Sequence, residues 1–182
     1  MAITKIQSES LNLADNYDFT GTVTGAGGTF SPRFSAYLSG NQSIPHGTDT
    51  RLAFNTENFD VGGCFNNTGS TVTLNGISTP AYCFAPNVAG IYVFGLKVQF
   101  QTDANHYNIM YMYKNAGSRL FESQYYNELG NARPHNGTMI TDMNGTSDYV
   151  YMDVWQNAGV AKNVYGSNIA NTHFYGYLLK AT

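Results

Sequence analysis

The sequence predicts an all-β domain, on three observations. Tyr92, Phe94, Leu96, Val98 and Phe100 alternate with Ile91, Val93, Gly95, Lys97, Gln99 and Gln101, the two-residue period of a pleated strand. Short apolar runs recur every ~8 to 12 residues between Gly, Asn, Asp and Pro, the spacing of a sandwich or barrel. No window keeps a 3.6-residue period beyond two helical turns.

Residues 1–28, "MAITKIQSESLNLADNYDFTGTVTGAGG", hold few large apolar residues and end in a small-residue stretch, so they read as an extended arm and Gly-rich linker ahead of a domain spanning 29–182. The arm's apolar residues Ile3, Ile6, Leu11, Leu13 and Phe19 are its anchoring candidates. Within the domain, strands are expected at 33–38, 51–54, 59–65, 70–74 and 80–85, then at 90–101, 106–114, 118–126, 137–142, 148–156 and 172–179. Asn75-Gly76, Asn136-Gly137 and Asn144-Gly145 are the turn signals between them. No internal repeat and no Gly-X-Y run is present.

The strand at 90–101 has one face buried throughout, while the other starts apolar at Ile91 and Val93 and ends polar. Something other than water must cover that start: a loop, a second sheet or another copy of the chain. Other segments show a second pattern. Tyr107, Ile109, Tyr111 and Tyr113 alternate with Asn108, Met110 and Met112; Tyr149, Tyr151 and Trp155 oppose Val150, Met152 and Val154; Tyr175 and Tyr177 oppose Phe174 and Leu178. A tyrosine offers a large apolar ring with a polar tip, which suits a surface buried against a partner. A monomer seldom exposes an apolar patch beyond a few hundred Å².

Charged residues make up 12% of the 182-residue chain, against about 25% in ordinary soluble domains. Nine Lys and Arg and a net charge of −3 do not make the clustered basic surface that nucleic acid requires, so no nucleic-acid partner is expected. Aromatics at 14% argue against disorder. No apolar stretch is long enough for membrane insertion, and the first thirty residues lack the layout of an export signal, which points to synthesis in a cytoplasm.

Cys64 and Cys83 flank Asn75-Gly76 almost symmetrically, so a hairpin there would make them cross-strand neighbours able to form a disulfide; the other reading is two small buried thiols. Two cysteines alone are too few ligands for zinc.

The segments "FSAYLSG" (34–40), "RLAFNTENFDVGGCFN" (51–66), "YCFAPNVAGIYVF" (82–94) and "HFYGYLLK" (173–180) together resemble the tumour-necrosis-factor and complement-globular-head family. The most specific pieces are Gly90-x-Tyr92-x-Phe94 and Phe174-x-Gly176-x-Leu178-Leu179, and the likeness runs from about residue 33 to 180. The insertion "NNTGSTVTLNGIST" departs from the family's compact spacing. The resemblance implies a jelly-roll β-sandwich of about ten strands that assembles as a homotrimer, with Tyr92, Phe94, Tyr111, Tyr151, Phe174, Tyr175 and Tyr177 as core or trimer-interface residues. The arm is similar to short segments of bacteriophage tail-fibre and other virion proteins. That implies a virion component made in the host cytoplasm and released by lysis, held to other virion proteins by its arm.

Catalytic signatures are missing: there is no nucleophile elbow, no His-Glu-x-x-His, no phosphate loop and no dinucleotide fingerprint. His46, His106, His135 and His173 lie in separate segments, and Glu122 with Glu128, or Asp142, Asp148 and Asp153, are the only carboxylate groupings worth testing. Asp142, Asn144 and Asp148 also invite comparison with a calcium loop, although turn capping is the ordinary role of such residues. The expectation is therefore a non-enzyme with no cofactor and no metal. Two roles fit: a fibre tip binding a host-surface glycan or protein through 103–107, 125–136 and 157–168, or a capsid decoration or head-fibre protein seated on the shell.

Overall fold

The computed structural model describes residues 32–101, 104–130 and 134–182; the anchoring candidates Ile3, Ile6, Leu11, Leu13 and Phe19 lie outside them. The described chain forms β1 (Arg33–Tyr37), β2 (Gln42–Ile44), β3 (Thr50–Arg51), β4 (Thr56–Val61), β5 (Val72–Leu74), β6 (Ile77–Thr79) and β7 (Gly90–Gln99). It continues through β8 (His106–Lys114), β9 (Ser118–Asn127), β10 (Pro134–Met143), β11 (Val150–Gln156), β12 (Lys162–Val164) and β13 (His173–Ala181). A five-stranded sheet ordered β10-β7-β13-β1-β4 faces a four-stranded sheet ordered β3-β11-β8-β9, with small β12-β2 and β5-β6 ribbons beside them.

The alternation seen in the sequence sets which side chains enter the space between the sheets. From the five-stranded sheet come Phe34, Tyr92, Phe94, Leu96, Val98 and Phe174; from the four-stranded sheet come Met110, Met112, Val150, Met152 and Val154. Phe34 stacks between Phe65 and Phe84 at centroid separations of 4.7 and 4.5 Å and meets Phe174 edge-on at 4.9 Å. Gly176 makes this cluster possible, since a Cβ there would run into the rings of Phe94 and Phe34. The one polar tip in the stack, the Tyr92 hydroxyl, donates to the Val88 carbonyl at 2.8 Å, so its burial leaves no orphan.

Several expectations need correction. No strand forms over 80–85: Phe84 makes isolated bridges to Phe65 and Val150, and the hairpin across Asn75-Gly76 is the shorter β5-β6 pair. Both turn residues take positive φ, 50° and 82°, which fits the sequence signal. Asn136-Gly137 is not a turn but lies inside β10, where Gly137 leaves room for the rings and methyls of Phe121 and Leu96. The sequence also gave no warning of β2 and β12, whose three-residue lengths are too short to show a period.

Cys64 and Cys83 are free thiols, so the disulfide reading is corrected. Across the Phe65–Phe84 bridge, Ala85 N donates to Cys64 O and Asn66 N to Cys83 O, which sets Ala85 opposite Cys64 and Asn66 opposite Cys83. The two cysteines are thus offset by two residues. Cys64 packs in the main core and Cys83 in a separate tyrosine cluster.

Candidate assembly and binding surfaces

The outward face of the five-stranded sheet is built from cross-strand rows. Register places Ile140, Val93, Tyr177, Arg33 and Val61 side by side, and Thr138, Gly95, Tyr175, Ser35 and Phe59 in the next row. Gly95 is there because the Tyr175 ring covers it; a Cβ would collide with that ring. The rows carry large apolar groups into solvent: Phe59 is 42% exposed, Val61 37%, Tyr177 38% and Ile140 57%. A cleft of about 320 Å³ opens among Arg33, Phe59, Ile169, His173, Tyr175 and Tyr177. Burial holds the His173 imidazole below its ordinary pKa, so the charge at the cleft comes from Arg33 rather than from this histidine.

The outward face of the four-stranded sheet is different, because its tyrosines are covered by the chain's own arginines. Tyr111, Tyr113 and Tyr151 are nearly buried and pack with Cys83, Ile109, Tyr149 and Trp155. The Arg51 guanidinium lies 3.4 Å from the centre of the Tyr151 ring and pairs with Asp153 at 3.0 Å; that of Arg119 lies 4.5 Å from the centre of Tyr111. At one end of this face Tyr107 and Tyr126 sit opposite each other with centroids 4.8 Å apart.

The seven residues expected at the core or interface therefore fall in three places. Tyr92, Phe94 and Phe174 are buried inside one chain and need no second copy to cover them. Tyr175 and Tyr177 lie on the exposed five-stranded face, and Tyr111 and Tyr151 on the opposite side of the sandwich. Phe59, Val61 and Ile140 on the exposed face went unremarked in the sequence. For Ile140 the available signal was its place in an alternating run.

The carboxylates named as catalytic or calcium candidates are mostly engaged by cations. The Lys114 ammonium lies 3.0 Å from Asp148 and 3.3 Å from Asp142; Arg119 pairs with Glu122; Arg51 pairs with Asp153. Burial pushes Asp148 up, but hydrogen bonds from Asn115 and Lys114 outweigh it and hold the carboxyl below its usual range. The Asn144 side chain accepts from the backbone of Thr146, Ser147 and Asp148, the capping role ordinary for such a loop. Among the described residues no three His, Cys, Asp or Glu side chains converge as a metal site would require. His46 accepts from Gly159 N at 3.1 Å, while His106 and His135 are buried in separate strands.

No protein-family description matches the sequence, and no curated protein matches it. Solved structures do resemble it. The globular domain of zebrafish complement 1qA aligns with a TM-score of 0.54 at 15% identity, covering 83% of this chain and 98% of that one. Murine APRIL gives 0.57 at 11% identity, over 81% and 98%. The PRD1 vertex protein P5 gives 0.56 at 15% identity, over 84% and 100%. The chain has the tumour-necrosis-factor-like jelly-roll fold.

Proposed function

We propose that this chain is a non-catalytic bacteriophage virion protein, a homotrimeric jelly-roll knob attached through its amino-terminal segment and used as a fibre tip that binds host-surface glycan or protein. The observation that carries the reading is the exposed face of the five-stranded sheet, where Phe59, Val61, Ile140 and Tyr177 are each more than a third exposed and a cleft lined mainly by aromatic and apolar groups opens beside Phe59 and Tyr177. Water leaves such a patch uncompensated, and a second copy of the chain covers it. Three-fold closure needs a head-to-tail contact in which this face meets a different part of the next copy. The likeness to a vertex protein of phage PRD1 supports a virion setting.

Light scattering on the purified chain tests the assembly: three chain masses are expected at micromolar concentration. A single chain mass at all concentrations would remove the basis for the knob. A second reading, a protein seated on the capsid shell, draws on the same likeness, since a vertex is a position on a shell. Copies per particle separate the two, because a fibre tip requires a few trimers and a shell coat hundreds of chains.

A further inference from the structure

We infer that the end of the four-stranded sheet carrying Tyr107, Tyr126 and Trp155 is a binding platform for an uncharged saccharide. The inference rests on the fibre-tip reading and supplies the surface that reading lacks. Tyr107 pairs with Tyr126 across β8 and β9, and Trp155 pairs with Ile109 one row further in. All point away from the core, because Asn108, Met110 and Val154 fill the inward positions of the same strands.

Unlike Tyr111 and Tyr151 further along the face, the two end tyrosines have no arginine over them among the described residues and are 38% and 43% exposed. The geometry is held from the backbone: Asn157 accepts from Tyr107 N at 2.6 Å through its side chain, and Asn157 N donates back to Tyr107 O at 3.3 Å. The platform thus has a fixed pair of rings, a half-buried indole beside them, and Gln124 exposed in the Ile109–Trp155 row.

Ring faces stack on the C–H faces of a sugar, while the amide and the phenol hydroxyls pair with its hydroxyl groups. The rows that hold Tyr107, Tyr126, Ile109 and Trp155 contain no Lys, Arg, Asp or Glu, which argues for a neutral sugar over a phosphorylated or sialylated one. Three strand ends, around Tyr107, Tyr126 and Asn157, come together here.

Trp155 is the only tryptophan in the chain, so its fluorescence reports this site alone. The full chain is titrated with chitotriose, maltotriose and a galactose trisaccharide, with a sialylated trisaccharide as the charged control. The expected result is a saturable emission change with at least one neutral sugar. Tyr126→Ala is expected to weaken it about tenfold, with solution mass and circular dichroism unchanged. The inference is overturned if no neutral sugar changes the emission, if only the sialylated sugar does, if Tyr126→Ala binds as tightly as the parent, or if emission follows protein concentration rather than sugar. Host-cell adsorption distinguishes the two failures. A chain that adsorbs equally well with Tyr126→Ala loses the platform but keeps the fibre-tip role, and a chain that never adsorbs loses that role itself.

Discussion

The ring of Tyr175 lies across Gly95 on the neighbouring strand, so the outward face of the five-stranded sheet keeps its shape only while position 95 has no side chain. Gly95→Val forces the ring outward and disrupts the rows on either side. The expected outcome is loss of the trimer on light scattering while the single-chain fold persists in circular dichroism. An intact trimer with the parent's dissociation behaviour would show that this face is not the contact surface.

Phe174 stands among Phe34, Phe54, Phe65 and Phe94 with no exposed surface. Phe174→Ala leaves a cavity that these rings cannot close. The expected cost is ~3 to 5 kcal/mol per chain by chemical denaturation. Tyr177→Asp, three residues away on the exposed side, should instead leave chain stability within about 1 kcal/mol and act on assembly. Equal losses for the two variants would contradict their placement on opposite faces of β13.

The His135 imidazole is buried between the rings of Phe100 and Tyr125, and this burial pushes its pKa down to about 4. The unfolded chain, with an ordinary histidine pKa near ~6.5, therefore binds the proton more readily. Stability is fully present above that pKa and falls as pH drops from about 6.5 towards 4, by on the order of 3 kcal/mol at most. His135→Phe should flatten the slope of unfolding free energy over that interval, measured by urea titration at several pH values. An unchanged slope would assign the effect to other groups.

Lys114 stands between Asp142 and Asp148, where its ammonium supplies the positive charge that calcium would bring to a carboxylate loop. Adding calcium or a chelator should leave the melting temperature unchanged. Lys114→Met leaves the nearly buried Asp148 with only neutral donors and should cost roughly 1 to 3 kcal/mol. A calcium-dependent rise in the melting temperature of the parent chain would contradict this.

The two thiols should be inert in the folded chain. Burial pushes Cys83 up to about 12 and raises Cys64 as well, so neither is a thiolate near neutral pH. Mass spectrometry after iodoacetamide at pH 8 should show little labelling until denaturant is added, and reductant should not change stability. Fast labelling under native conditions would place at least one thiol elsewhere.

What the sequence determined by itself was local. The alternation through Tyr92–Phe100 named one core face, the Asn75-Gly76 pair marked a hairpin, and the Gly-x-Tyr-x-Phe and Phe-x-Gly-x-Leu-Leu segments pointed to the jelly roll, because strand period, turn chemistry and motif spacing are written in neighbouring residues. What only the tertiary structure decided was which tyrosine faces are covered. Tyr151 and Tyr177 read alike along the chain, yet Arg51 reaches Tyr151 from 100 positions earlier in the sequence and leaves it nearly buried, while Tyr177 stays 38% exposed. The same holds for Cys64 and Cys83, set apart by a two-residue offset across a bridge, and for Tyr107, Tyr126 and Asn157, gathered at one end of a sheet. Register and sheet order fix these neighbours, and both follow from packing across the whole sandwich.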